Sequence, residues 1–566
     1  MIALENYLYW INNNVLSQEE KENLIHLAAS PDDLEDRFYK NLEFGTGGLR
    51  GVVGLGSNRV NKYTIRKATQ GISNYLNSQK KKNNSVVIAY DTRLFSEEFA
   101  LETALIFSAN EIKVYLFSDY TPTPILSYAV RKLKADIGIV ITASHNPKEY
   151  NGYKVYNNQG CQITLQMANR FENFINSIDV FKDVKSLPLD QRHNKIVKID
   201  NEVYDSYFKH VLEHNVLENF NENIKVIYTP LHGTGLVYIK KLLETRNYKL
   251  HIVDEQSTFD GNFPTVKSPN PEDARALSLA VSLAKDKEAD LVIGTDPDAD
   301  RVGVVIRHLD EYVYLTGNEI GVLLLSYMIE TKRPSNDYHV IKTIVTSDLG
   351  KVIAESNNLT VIETLTGFKF IGEQIEKLEE NNQKFLLGYE ESYGYLKDSY
   401  VRDKDAVMSS LLVCDMVGFY KAKNQTLVDV LNNIYNQYGC YKNDLETYTF
   451  TGKNGMALMN ELILELKENY SKIKSASTSE LMFIEDYRSS KKLDLSSGEL
   501  SKIELPKSDV IKFIYSDKSW IVVRPSGTEP KLKVYYQAIA PNIEEAIRYL
   551  AQMKTSINQF IALYLK

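Results

Sequence analysis

Residues 136–147 read DIGIVITASHNP. A short, Ile- and Val-rich run such as Ile137–Ile141 suits a strand covered on both faces. It breaks directly into polar turn residues. The same arrangement returns twice, in ADLVIGTDPDAD (289–300) and in QKFLLGYEES (383–392). Before each lie two further apolar runs separated by amphipathic segments. SVVIAYD (85–91) and IKVYLFS (112–118) precede the first, KVIYTPLHG (225–233) and KLHIVDE (249–255) the second, HVIKTIVTS (339–347) and LTVIETLTG (359–367) the third. Each cycle reads strand–helix–strand–helix–strand. The fold class expected is therefore α/β, with three similar α/β domains in series, a repeat of architecture more than of sequence.

Outward from this core the chain changes character. Residues 1–40 read as polar helices, with Ser17 and Glu20 in a capping-box pattern. Residues 441–500 are charged and mixed, and no function is read from them or from 1–40. SWIVVRPSGTEPKLKVYYQA (519–538) reads strand–loop–strand before a helical run from Asn542, which makes a smaller C-terminal α+β domain. The expected domains are 1–204, with the N-terminal helical extension, then 205–312, 313–445 and 446–566.

Composition narrows the function classes. The 566 residues carry 66 basic and 74 acidic side chains, a net charge of −8, which excludes a general nucleic-acid or anionic-membrane surface. Three scattered cysteines, Cys161, Cys414 and Cys440, give neither a disulfide framework nor a cysteine-built zinc site. The opening MIALENYLYWINNN has no basic stretch followed by an apolar core, so no secretory leader is expected. No apolar run is long enough to span a bilayer. A cytoplasmic protein, monomeric or a small homo-oligomer, is the expectation.

In open α/β sheets ligands gather beyond the carboxyl ends of strands, so the polar loops are where chemistry is sought. Ser144, with His145 beside it, follows a strand and could be a nucleophile. The same six residues also make an ordinary turn. The G-x-S-x-G elbow of hydrolases is absent. Lys154, in NGYKVY, sits among apolar and aromatic residues. It reads either as a proton-transfer group of lowered pKa or as a snorkelling surface lysine.

Asp296, Asp298 and Asp300 alternate along one loop, so a curled backbone brings three mutually repelling carboxylates together. A hard cation relieves that repulsion, and three oxygen ligands with room for water or phosphate suit Mg²⁺. An EF-hand is excluded, because Arg301 stands where its glycine would be and Arg307 where its glutamate would be. The alternative, a solvated acidic turn, fits poorly after a buried-looking strand. In GYEESYG (388–394), paired carboxylates and a hydroxyl could hold vicinal sugar hydroxyls or simply start a helix. Asp403-Lys404-Asp405 carries no signal of its own. Arg524-Pro525-Ser526-Gly527-Thr528, with Lys531 and Lys533 close by, reads as a phosphate cradle in preference to a plain turn. FGTGGLRG (44–51) misses the dinucleotide fingerprint, and no Walker A segment occurs.

Together, TASHNP, TDPDADR, the GEES-like loop and RPSGTEP resemble, in order and spacing, the four signature segments of the α-D-phosphohexomutase superfamily, over roughly residues 40–566. FGTGGLRG, TPLHGTG (229–235) and LTGFKFIG (365–372) add to the likeness, which is strongest with the longer, glucose-type bacterial members. The resemblance implies that Ser144 carries a phosphoryl group and that Asp296, Asp298 and Asp300, with its phosphate, ligate Mg²⁺. Lys154 would be a general acid/base, with His145 in the same catalytic loop, and Arg50 and Arg301 would stabilise the moving phosphoryl. Glu390 and Ser392 would bind sugar hydroxyls, Lys369 a phosphate or sugar, and Arg524, Ser526, Gly527 and Thr528 the distal phosphate. The implied reaction interconverts glucose 1-phosphate and glucose 6-phosphate through glucose 1,6-bisphosphate, which is also the expected activator. Pentose and mannose phosphates are the alternative substrates. The stretch Ser392-Tyr393-Gly394-Tyr395 lacks the histidine of many mannose-type members, and TGFK replaces a TGH-type segment, which disfavours mannose. A non-catalytic sugar-phosphate scaffold would predict a degraded loop, yet Ser144 and all three aspartates are present.

Overall fold

The structure is a computed structural model. It describes residues 2–564 except 46, 80, 82, 189–194, 215–223, 451–454, 469, 471–472, 474–476, 478 and 526–530. The chain divides into two compact units, residues 1–320 with 368–426 and residues 321–367 with 427–566.

The first unit holds two sheets of the expected kind. One is built from β1 (Gly48–Val52), β2 (Ser85–Tyr90), β3 (Lys113–Leu116), β4 (Ile137–Ile141), β5 (Tyr150–Tyr156) and β6 (Ile196–Lys198), in the order β1-β5-β4-β2-β3-β6. β2 pairs in parallel with β3 and β4, and every residue of β4 is buried, as its continuous apolar run requires. The second sheet contains β7 (Lys225–Thr229), β8 (Lys249–Ile252), β9 (Leu291–Thr295), β10 (Val302–His308) and β11 (Glu311–Leu315), ordered β11-β10-β9-β7-β8. β7 lies parallel to both β8 and β9.

Each sheet then adds an antiparallel return that periodicity did not announce. β5 runs back along β4, and β10 along β9. The strand Lys384–Tyr389 is likewise followed by an antiparallel partner, Tyr395–Lys397. The three polar loops are therefore strand-to-strand turns at the carboxyl end of a buried strand. Each contains one non-glycine residue with left-handed backbone: Ser144 at φ 53°, Ala299 at φ 50° and Tyr393 at φ 64°.

The N-terminal extension folds as the helices Ile2–Ile11, Gln18–Leu27 and Pro31–Phe38. The capping box is present: Glu20 N donates to Ser17 Oγ, and Ser17 N donates to the Glu20 carboxylate. Trp10 packs edge-on to Phe38, Tyr63 and Phe181, so the extension is bound to the first α/β layer by an aromatic cluster.

In the second unit, Tyr338–Thr343 and Thr360–Thr364 form a parallel pair joined through the helix Leu349–Ser356. The C-terminal sheet has seven antiparallel strands in the order Cys440–Thr449, Lys531–Ala540, Trp520–Pro525, Ile511–Tyr515, Leu481–Asp486, Lys491–Asp494, Leu500–Lys502. The helices Gly455–Glu468 and Ile543–Ile561 accompany it. Two of these strands lie wholly within residues 441–500, the stretch read only as charged and mixed, and two more overlap its ends. The reason is their patterning, since Cys440–Thr449 is buried at its first two residues and only half-buried or exposed along the rest.

Candidate functional site

The β4–β5 turn carries Ser144. Its left-handed backbone turns the side chain toward the neighbouring sheet, where Oγ donates to Asp296 Oδ2 at 2.6 Å. His145 Nδ1 lies 3.3 Å from the same Oγ. Burial first, and then the Arg301 and Arg50 guanidinium groups, hold His145 well below its usual pKa, so the ring is neutral.

Asp296, Asp298 and Asp300 lie on the β9–β10 turn. Asp296 Oδ1 accepts the amides of Asp300 at 3.1 Å and Arg301 at 3.0 Å, which fixes the curl that alternation predicts. One oxygen from each of the three carboxylates lies within 4.8 Å of the others, and all three residues are buried. Lys154, on β5, donates to Asp298 Oδ2 at 2.7 Å and to Asp300 Oδ2 at 3.2 Å. Thr123 Oγ1 donates to Asp298 Oδ2 at 2.8 Å. Lys404 reaches Asp300 Oδ2 at 3.0 Å. Arg301 pairs with Glu272 and stands 3.8 Å from Asp300.

The charges set one another. Burial, and then the Asp300 and Asp298 charges, push the Asp296 carboxyl well above the usual range. Burial pushes Asp300 in the same direction, but Lys404, Lys154 and Arg301 outweigh it and hold that carboxyl low. Lys154 departs from the lowered pKa that its apolar neighbours suggest. Burial does oppose its charge, but Asp298 and Asp300 outweigh burial and hold Lys154 above its ordinary value. It is buried, which removes the reading of a snorkelling surface lysine.

Two oxygens are left over. Asp298 Oδ1 and Asp300 Oδ1 are buried and have no hydrogen-bond partner. Buried acceptors are almost always satisfied, so unpaired carboxylate oxygens beside a third carboxylate fit a hard cation.

Other predicted residues fall around this cluster. Arg50, on β1, is solvent-accessible and donates to Asn146 Oδ1 in the serine loop at 3.2 Å. Glu390 is buried, and its charge is felt by both Arg301 and Lys404. Its amide donates to Gly394 O at 3.0 Å, which closes the turn holding Ser392. Lys369 is buried at the start of the helix Phe368–Glu380, and its carbonyl accepts the Cys161 thiol at 3.3 Å. Arg524 lies in the second unit, paired in register with Lys533. Ser526, Gly527 and Thr528 lie outside the described residues.

Sequence reasoning missed Lys404, Asp403 and Thr123. Lys404 also bonds Asp403 at 3.2 Å, and Asp403 accepts the Tyr156 hydroxyl at 2.8 Å. The available signal was Gly394, where a Cβ would stand 2.2 Å from Lys404 Cδ. Its missing side chain makes room for the lysine stem.

Four family descriptions match in order: Phosphoglucomutase/phosphomannomutase, alpha/beta/alpha domain I at residues 41–181, domain II at 205–309, domain III at 316–438, and the C-terminal domain at 480–552. The chain belongs to the phosphoglucomutase/phosphomannomutase family, whose architecture is three α/β domains and a C-terminal domain. A Staphylococcus haemolyticus protein named Phosphoglucomutase is 39% identical over 518 residues, covering 90% of this chain and 93% of the relative. A Staphylococcus aureus protein of the same name is 38% identical over 534 residues, 93% of this chain and 95% of the relative. Among solved structures, a putative phosphomannomutase from Thermus thermophilus matches with TM-score 0.69 at 20% identity, covering 92% of this chain and 99% of the other. The Paramecium parafusin structure, in an open form, matches with TM-score 0.68 at 20% identity, covering 93% and 96%. These two speak for the fold alone. No helix among the described residues is long and apolar enough to cross a membrane.

Proposed function

We propose that this chain interconverts α-D-glucose 1-phosphate and glucose 6-phosphate, the reaction for which its relatives are named. The observation that carries the reading is the Ser144 hydroxyl 2.6 Å from Asp296, inside a buried cluster with two unpaired carboxylate oxygens. Ser144 holds a phosphoryl group and gives it to the free hydroxyl of the substrate. Glucose 1,6-bisphosphate results, reverses end for end, and returns its other phosphoryl to Ser144. The same bisphosphate restores a dephosphorylated enzyme and so acts as activator.

Such a transfer is catalysed by positioning and charge neutralisation. Asp296, Asp298 and Asp300, with the phosphoserine oxygen, would hold Mg²⁺, which supplies positive charge to the transferring phosphoryl. Arg50 and Arg301 flank the same point. Lys154, buried 2.7 Å from Asp298, is the general acid/base for the sugar hydroxyl, and a cation shared by Asp298 and Asp300 would loosen the hold that those carboxylates have on its proton; neutral His145 lies beside the serine oxygen. Glu390 and Ser392 bind sugar hydroxyls, with Lys369 nearby in role. Arg524, Ser526, Gly527 and Thr528 hold the phosphate that is not reacting. The division at 204, 312 and 445 into serine, metal, sugar and distal-phosphate domains belongs to this proposal.

The test is a mutase assay over glucose, mannose and ribose 1-phosphates, with and without Mg²⁺ and glucose 1,6-bisphosphate. The expected result is the highest kcat/KM on glucose 1-phosphate, dependent on Mg²⁺, with one phosphate per chain that Ser144→Ala removes. Turnover that survives in Ser144→Ala would end the reading.

A further inference from the structure

Beneath the serine loop lies a second charged group, which the mechanism above does not use. Asp91 directly follows β2, and Arg93 comes two residues later; both side chains are fully buried. The Arg93 guanidinium meets four backbone carbonyls of the serine loop. Nη1 donates to Pro147 O at 2.9 Å and Tyr150 O at 3.0 Å, and Nη2 to Ser144 O at 2.5 Å and to Asn146 O. A planar guanidinium with five donors can satisfy several carbonyls that a tight turn points inward. A lysine ammonium has only three donors and no fork.

Asp91 completes the arrangement from the other side. Its Oδ2 accepts the Thr142 hydroxyl at 2.6 Å, and Thr142 Oγ1 in turn accepts the Ser144 amide at 2.8 Å. Its Oδ1 accepts the Ser96 hydroxyl at 2.8 Å and the Arg93 amide at 3.0 Å. Ser144 is thus gripped through both its carbonyl and its amide, and the grip holds it in left-handed backbone. The neighbouring sheet's loops close over the clamp. The Phe263 ring lies 5.0 Å from the Arg93 guanidinium carbon, and a Cβ on Gly261 would stand 2.4 Å from Leu94 N. The clamp therefore ties the serine loop to the part of the unit that carries the aspartates.

We propose that Arg93, oriented by Asp91, is a positioning residue that presets the Ser144 hydroxyl for phosphoryl transfer without touching the sugar. This rests on the mutase reading above. Displacing a reacting atom by about 1 Å can cost on the order of 10²-fold in rate. Arg93→Lys and Thr142→Val each break the clamp at one point; the valine variant removes only a hydroxyl's bonds and keeps its volume, so it serves if the lysine variant fails to fold.

Three readouts are taken on each variant and the wild type. Hydrogen exchange across 142–150 should speed up at least ~10-fold, as an opened turn requires, while the β7–β9 region is unchanged. The kcat on glucose 1-phosphate should fall by about 10²-fold while KM stays within about threefold. Phosphate taken up from glucose 1,6-bisphosphate should still reach one per chain, more slowly. A variant that merely lost folded molecules would lower stoichiometry and kcat together, and that result overturns the proposal. Unchanged exchange in the loop, or unchanged kcat with an active wild type, overturns it as well. A wild type inactive on every sugar phosphate sinks the mutase reading instead, and with it the catalytic purpose of the clamp, even where loop exchange responds.

Discussion

Among the described residues, a buried cluster of opposite charges in each unit invites comparison, and the two differ in what they leave unpaired. In the first unit, Asp296, Asp298 and Asp300 face Lys154 and Lys404 and keep two carboxylate oxygens without a hydrogen-bond donor. In the second, Lys342 is wholly buried and bonds Asp348 at 2.9 Å, Glu363 at 3.0 Å and the carbonyls of Thr343 and Thr346. The other Asp348 oxygen accepts Trp520 Nε1 at 2.8 Å and Gln537 Nε2 at 3.1 Å. Lys512 donates to Ile344 O at 3.0 Å and lies 4.8 Å from the centre of the Trp520 ring. None of these side chains appears among the described buried groups that lack a partner. Buried charge alone does not mark a site. A complete network joins structural elements, whereas spare acceptor capacity is an opening for a ligand.

Substitutions in the two clusters should therefore fail in opposite ways. Ser144→Ala should cost turnover roughly 10⁴-fold or more, as loss of a nucleophile does, with melting temperature little changed. Steady-state assay and thermal unfolding on one preparation check both halves. Asp298→Asn should lower kcat/KM on the order of 10²-fold at saturating magnesium. Its stability should stay within about 1 kcal/mol, because asparagine still accepts from Thr123 and one of three mutually repelling charges is gone. A large stability loss there would erase the contrast. Asp348→Asn should do the reverse, costing about 2 kcal/mol, because Lys342 keeps Glu363 but loses its other carboxylate partner and the Trp520 bond goes to a neutral acceptor, measured by denaturant unfolding.

The sequence was informative where chemistry and periodicity coincide. Ile137–Ile141 and Leu291–Thr295 read as buried strands because both faces are covered, and the loops after them stood out as polar breaks. The antiparallel returns were harder to see. Tyr150–Tyr156 is fully buried after its first residue, yet its polar and aromatic composition, YNGYKVY, resembles no core strand. Its polar members are buried because Lys154 and Asn151 find partners across the fold. Lys404 was hidden for the same reason, since a D-K-D run looks solvated until Asp300 is placed beside it. Arg93 was hidden more deeply. Its partners are backbone carbonyls, which every sequence contains and none advertises.

The smallest effect concerns pH, and it is confined to the complete cluster. Lys342 foremost, with Lys512 and Lys351, overcomes burial and the Asp348 charge and draws the Glu363 carboxyl down to about 2 from an ordinary 4.5. The folded chain thus binds this proton less readily than the unfolded chain. Where the unfolded state holds more protons, stability rises with pH. The contribution of Glu363 is therefore fully present above about pH 4.5 and is lost as pH falls toward 2. Its side chain is 31% exposed, so solvent screening reduces the full shift to roughly 1–2 kcal/mol. Glu363→Gln should be less stable than the wild type by that amount at pH 6, and the two unfolding free energies should draw together below pH 4.5 and meet only near pH 2, where the folded wild-type carboxyl is protonated as well. Lys351, which pairs with Glu363 at 3.2 Å, offers a control. It is more exposed, so Lys351→Met should shift the same curve by only a few tenths of a kcal/mol. A Glu363→Gln curve parallel to the wild type from pH 3 to 6 would mean that the carboxylate is not held by Lys342, and the second cluster would then be no more complete than the first.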